Sequence, residues 1–340
     1  MSHPLNPAYK LTLGDKIVDT TDEPRASTVV DLTVRLDMDA PADSFTLVLG
    51  QVGSFRPQRD DEATIELGYA DDGNLVQVMA GAVVTVEPNL TTARVVGHSA
   101  VATLLRTYVD QTYEVKTAGE IVRDLAGQAS VDVSAAEDGI AFPAYVVDGR
   151  RSVYHHMRDL ADLCGFDLYV NADGELVFEK FVGGKAVHRF EYAKHIVELE
   201  VLQAPARAEA VEAWGESPAG SQADESWAWL VKDFGGSKGA AGTGDPLLLV
   251  ERPALRTADA ARIAADAALT AIQRRTLRGR LLSVGRPEVK LGDAIRLAGL
   301  PDESLNKNYQ VRSVVHRITK RGGFTTTVGF RALDTGAGQP

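Results

Sequence analysis

The feature that most constrains this chain is a series of short, β-branched segments set apart by turn signals. Segments 28–37, 44–49, 62–68, 76–87 and 93–97 are rich in Val, Thr, Leu and Ile and partly alternate, the pattern of strands with one face buried. Asp71-Asp-Gly-Asn74 and Pro88-Asn-Leu-Thr-Thr92 lie between them as hairpin signals. Short strands at this spacing point to a barrel or sandwich. Sparse aromatics, 6% of the chain, with frequent Val, Ala, Thr and Gly lean the same way. At 340 residues the chain calls for two or three domains.

The middle of the chain changes period. Ser99 precedes a short helix carrying Val101, Leu104 and Leu105. Thr117-Ala-Gly-Glu120 has the spacing of a capping box, ahead of an apolar stripe of Ile121, Val122, Leu125 and Ala126. Ser152 opens a third helix with Val153, Met157, Leu160, Ala161 and Cys164 on one face, and Gly165 closes it. Segments 166–170 and 175–180, joined by Asn171-Ala-Asp-Gly174, form a hairpin. Strand character returns at 196–201 and 208–214. Residues 215–247 hold seven glycines and read as a mobile loop. Thr257 caps an alanine-rich helix over about 258–275, and strands follow to about 332.

One internal echo organises the rest. Residues 62–97 run strand, turn, Val-rich strand, turn, returning strand, and residues 288–331 repeat that order. The expectation is an α+β chain, mostly β, with two β domains flanking a small α/β module: 1–107, 108–190 and 191–340, the last carrying the 215–247 loop.

The formal net charge of −11 argues against a generic nucleic-acid binder. It averages 7 basic against 15 acidic residues over 1–100 and 13 basic against 4 acidic over 274–331. Cys164 is the single cysteine, so no intrachain disulfide forms, and Met1-Ser-His-Pro-Leu-Asn-Pro7 lacks the basic and apolar regions of a signal peptide. No run of about 18 apolar residues suggests a membrane span. These features fit folding in a reducing cytoplasm.

Catalytic and metal motifs find little support. His155, His156, Asp159, Asp162 and Cys164 form the densest ligand cluster, and His155 and Asp159 are i,i+4 neighbours. Yet Cys164 belongs to the apolar stripe and no second cluster accompanies it, so a polar helix face is the better reading. The 235–244 glycine run lacks a phosphate-loop pattern, and GxSxG, HExxH and GxGxxG are absent. Paired carboxylates such as Asp60-Asp61 fall mostly in turns. No catalytic, cofactor-binding or metal residue is therefore assigned. Candidate partner contacts are the loop aromatics Trp227, Trp229 and Phe234, and the basic residues Arg274, Arg275, Arg312 and Arg317. A β-rich carbohydrate- or peptidoglycan-processing enzyme and a surface-binding module are the alternatives to a structural role.

The order of these features resembles the phage late control protein D family, the baseplate or tail-tip hub of contractile phage tails and injection systems. It is similar as well to the N-terminal hub part of VgrG. The match is densest in 145–178 (YVVDGRRSVYHHMRDLADLCGFDLYVNADGELVF), with Thr117-Ala-Gly-Glu-Ile-Val-Arg-Asp-Leu-Ala126 and Val289-Lys-Leu-Gly-Asp-Ala-Ile-Arg-Leu297 alongside. The resemblance implies a homotrimer with two barrel-like tube domains per chain, adapting a sixfold tail or inner tube to a threefold spike. It also implies a separate spike protein, tube and baseplate wedge proteins as partners, and no enzymatic activity. DNA or effectors would pass through the lumen without specific binding, in a particle assembled in the bacterial cytoplasm.

Overall fold

The computed structural model describes residues 5–21, 28–41, 43–50, 56–215 and 238–333. The chain opens with β1 (Pro7–Leu13), β2 (Lys16–Asp19), β3 (Val29–Asp37), β4 (Ser44–Gly50), β5 (Glu62–Tyr69), β6 (Leu75–Pro88) and β7 (Thr92–His98). The middle follows as α1 (Val101–Arg106), β8 (Gln111–Thr117), α2 (Ala118–Gln128), β9 (Val133–Ala136), β10 (Ala141–Val147), α3 (Val153–Cys164), β11 (Asp167–Val170) and β12 (Leu176–Glu179). The last part holds β13 (Val187–Glu191), β14 (Ile196–Gln203), β15 (Ala210–Trp214), β16 (Gly239–Gly242), β17 (Leu247–Glu251) and α4 (Ala258–Arg274). It ends with β18 (Leu277–Val284), β19 (Ala294–Ala298), β20 (Asn308–Thr319) and β21 (Gly323–Ala332). The fold is α+β and mostly β.

Local chemistry sets the helix ends. The Thr117 hydroxyl accepts from the Glu120 amide while the Glu120 carboxylate accepts from the Thr117 amide, closing the capping box at α2. Gly165 takes a left-handed conformation, φ 69°, that ends α3. At α4 the Thr257 hydroxyl accepts from the Ala260 amide.

Thirteen strands form one sheet, in the order β14-β18-β21-β20-β3-β4-β7-β6-β5-β1-β2, with β13 and β19 joined to β20. Its two parts repeat one strand order: β3-β4-β7-β6-β5-β1 in the first and β14-β18-β21-β20-β19-β13 in the second. Even the irregularities coincide, since the register shifts between Val83 and Thr85 on β6 and between Val311 and Ser313 on β20. The echo seen in the sequence is thus a repeat of strand order. Antiparallel pairing of β20 with β3, from Ser313↔Asp37 to Thr319↔Asp31, joins the halves. One core runs beneath both, where Leu32, Leu47 and Ile65 share a cluster with Leu281, Ile295 and Val314. Tyr69 Oη also donates to the Gly285 carbonyl at 2.9 Å, and its ring lies 5.7 Å from that of Phe324.

A second core lies around α2, α3 and α4. Ile121, Leu125, Met157, Leu160 and Phe178 pack there with Val211, Leu255, Ala264 and Ala265. This corrects the linear division expected from the sequence, because β15 and α4 join the α/β module while β14 and β18–β21 belong to the large sheet. It also corrects the extent of the glycine-rich loop. Gly239–Gly242 is a strand on β15, and Leu247–Glu251 is another on the far side of β15. Glycine and alanine dominate β16 because it lies directly against α4: a Cβ on Gly239 would overlap the backbone of Ala261 and Arg262.

Candidate interface

The large sheet buries one face and presents the other. On β3, β4, β20 and β21 the side chains of Leu32, Val34, Phe45, Leu47, Val314, Phe324 and Val328 point into the core. Their alternating neighbours Thr33, Thr46, Ser313, Thr325 and Thr327 point away, as strand geometry requires. The outward face is paved with short side chains. Three ion pairs lie on it: Arg317 with Asp31 at 2.7 Å, Arg94 with Glu87 at 3.5 Å, and Arg280 with Glu200 at 3.7 Å. Exposed pairs of this kind add little stability, but each offsets a charge on the face.

A buried polar knot ties the sheet to the α/β module. Arg312, only 7% exposed, donates to Asp167 at 2.5 Å and to Asp39 at 2.7 Å. Gln310 donates to the other Asp167 oxygen at 2.5 Å, Arg331 also reaches Asp39, and Arg158 donates to the Met38 carbonyl at 2.8 Å. Three parts of the chain meet here: the end of β3, the α3–β11 segment and β20–β21. Burial alone would raise the Asp39 carboxyl, but Arg312, with Arg331 and Arg158, holds it below the ordinary carboxylate range. Burial likewise disfavours the Arg331 charge, and neighbouring Arg312 and Arg275 push the same way, so its pKa falls despite Asp39. The knot opens on a cleft of about 490 Å³ beside β14, lined by Arg278, Arg280, Arg312 and Arg331 with Asp39 and Glu200. Arg312 Nε is buried there with no hydrogen-bond partner among the described residues.

The sequence-derived contact residues are scattered. Trp227, Trp229 and Phe234 lie outside the described residues. Arg274 sits over the Phe181 ring at 6.0 Å, and Arg275 is exposed at the end of α4. Arg317 lies on the outward sheet face. Arg312 is an internal tie, a correction to its reading as a surface contact: at the β20 bulge its side chain turns into the interior. The α3 polar cluster is engaged locally, with His155 Nδ1 2.8 Å from Ser152 Oγ, His156 Nε2 3.0 Å from the Asp148 carbonyl and Asp159 held by Arg151. The Cys164 thiol is buried, and burial pushes its pKa up to about 11. No group of three or more His, Cys, Asp or Glu side chains among the described residues could hold a metal ion.

Asp43, absent from the sequence reading, is the most perturbed acid. It is 3% exposed at the start of β4, where its Oδ1 accepts from the Asp37 amide at 2.8 Å and its Oδ2 from Ser99 Oγ at 3.4 Å. With no cation among the described residues bonded to it, burial raises its pKa from 3.8 to about 7, and the nearby Asp37 charge adds to the rise. Between those values the folded state binds more protons than the unfolded, so stability falls as pH rises through this window. Asp43→Asn keeps the acceptor for Asp37 and removes the charge. It is expected to exceed wild type in stability at pH 8, by about 4 kcal/mol at most, and to match it near pH 4. Thermal melts at pH 4, 6 and 8 read this out, and an offset independent of pH contradicts it.

No protein-family model and no curated protein matches the chain. Solved structures do match, and they give it the fold of phage tail proteins. The 43 kDa tail protein of prophage MuSo2 from Shewanella oneidensis is similar at a TM-score of 0.72 and 15% identity, over 95% of this chain and 98% of that one. A tail protein from Neisseria meningitidis MC58 gives 0.70 at 12% identity, over 96% and 97%. The E. coli c3393 protein, a component of the type VI secretion system similar to the T4 tail proteins gp27 and gp5, gives 0.61 at 10% identity, over 96% and 77%. These identities speak for the fold. Tail proteins and VgrG-type chains are also the group that the sequence resembles.

Proposed function

We propose that this protein is a structural hub of a contractile phage tail or injection system, a homotrimer that adapts a sixfold tube to a threefold spike. The observation that carries this reading is the repeated strand order within one continuous sheet. A three-copy ring meets a sixfold neighbour only if each chain presents two equivalent units, and β3-β4-β7-β6-β5-β1 and β14-β18-β21-β20-β19-β13 are two such units. Its partners are then a separate spike protein, the tail or inner tube protein and baseplate wedge proteins. Short side chains and the charge pairs Arg317–Asp31, Arg94–Glu87 and Arg280–Glu200 on the outward face support passage of DNA or effectors without grip. No catalytic step is part of this role.

The test is the mass of the purified chain together with an end view by electron microscopy. The expected particle is three times 36.4 kDa, about 109 kDa, with six similar lobes around a central opening. A monomer at every concentration and salt tested overturns the trimer.

A further inference from the structure

The repeat also identifies the joint between copies. Within one chain, the halves join because β20 is longer than its partner β19. Its first residues, Asn308–Gln310, pair with β19, and on the same side Ser313–Thr319 pair with β3. The equivalent of β20 in the first half is β6. Its first part, Leu75–Ala82, pairs with β5, and Val83 exchanges backbone hydrogen bonds with Asp60 and Asp61. Beyond Val83 that side of β6 pairs with no strand among the described residues. The equivalent of β3 in the second half is β14, which pairs with β18 and with no other strand among the described residues. Each chain therefore carries both sides of its own internal joint, one at each end and both unfilled.

We propose that β14 of one copy pairs antiparallel with the second part of β6 of the next copy, reproducing the β3–β20 joint and continuing the sheet around a closed ring. This rests on the ring reading above and specifies its interface. The matching bulges set the register. They equate Glu87 with Val315, and the strand-to-strand rows equate Asp31 with Glu198, so the Val315↔Arg35 pair becomes Glu87↔Leu202. Exposed side chains on both edges fit this pairing. Leu202 is 50% exposed and Val197 62% exposed on β14, and Leu90, just past β6, is 93% exposed. Antiparallel pairing lays Leu90 beside the first half of β14, where Val197 sits, and covers apolar edge residues that a free strand leaves as an aggregation hazard. Charge agrees as well. On β18, Arg278 faces Leu202, so Glu87 of the neighbour arrives at the rim of the arginine cleft.

Cysteine cross-linking decides it, because the one native cysteine, Cys164, is buried. Glu87→Cys with Leu202→Cys in one chain, oxidised with diamide, is expected to yield covalent two- and three-copy species and no larger ones. Val315→Cys with Arg35→Cys is the control within the chain, closing a disulfide without change in mass. A particle that stays three-copy by native mass while no pair drawn from 84–88 and 198–202 cross-links overturns this joint and leaves the ring reading standing. Cross-linking of Leu202→Cys to Ile17→Cys on β2 instead overturns it too, moving the contact to the other sheet edge. A wild-type chain that remains monomeric removes both. Far-ultraviolet circular dichroism of each variant confirms that the sheet is intact.

Discussion

Arg312→Ala is expected to lower stability by about 3–5 kcal/mol, the effect of removing one partner from a buried ion pair. The size follows from what is left behind. Asp167 keeps the Gln310 amide, and Asp39 keeps Arg331, so the buried Asp167 carboxylate loses its cation. Combining Arg312→Met with Asp39→Asn and Asp167→Asn removes the charges together and is expected to recover much of the loss, as apolar or neutral replacements of buried pairs often do. The effect also depends on pH. Asp39 titrates below its ordinary range when folded, so its share of stability is present above the unfolded value and is lost as pH falls through the folded one. Urea unfolding at pH 7 and pH 4 measures both claims. A single variant as stable as the triple one shows that the knot is ornamental. Because the knot links β11 of the α/β module to β20 and to the residues after β3, the loss is expected to loosen the contact between sheet and α/β module before either core.

The strands and helices were legible where one physical signal acted alone. Alternation located β3–β7 and β20–β21, and Thr117, Gly165 and Thr257 marked helix ends through side-chain and backbone hydrogen bonding that needs no tertiary context. Misreadings arose where tertiary packing reverses a local preference. Gly-Ala-Ala-Gly at 239–242 has the composition of a linker, yet the alanine face of α4 approaches so closely that nothing larger fits. Arg312 lies at the bulge of β20, where the consecutive residues Gln310 to Arg312 are all buried, so parity from sequence misplaces it. Asp43 carried no signal at all, because its perturbation comes from burial, which only the packed fold creates, with the nearby Asp37 charge adding to it. The division into units was partly hidden for a similar reason: β15–β17 and α4 are inserted between strands of the second half, and sequence proximity assigned them to the wrong core. The repeat survived all of this because strand order depends on hairpin and crossover connections, and these are tolerant of side-chain change.

The same substitution placed at two glycines should act with opposite signs, and this tests the account of β16 directly. Gly239→Ala forces a methyl group into the backbone of Ala261 and Arg262, where neither side is a flexible side chain that can swing aside. Overpacking a rigid contact costs about 1–3 kcal/mol and occasionally more, and the upper end is expected here because strand and helix must part. Gly127 offers the contrast. It lies within α2, its φ is not positive, and a Cβ there meets nothing within 4 Å. Gly127→Ala therefore only restricts the unfolded chain and is expected to stabilise by about 0.5–1 kcal/mol. If residues 239–242 behaved as the mobile linker that composition suggests, Gly239→Ala would be neutral or slightly stabilising as well. Chemical denaturation of the two variants beside wild type separates these cases. Opposite signs require that β16 be held against α4 in the folded protein.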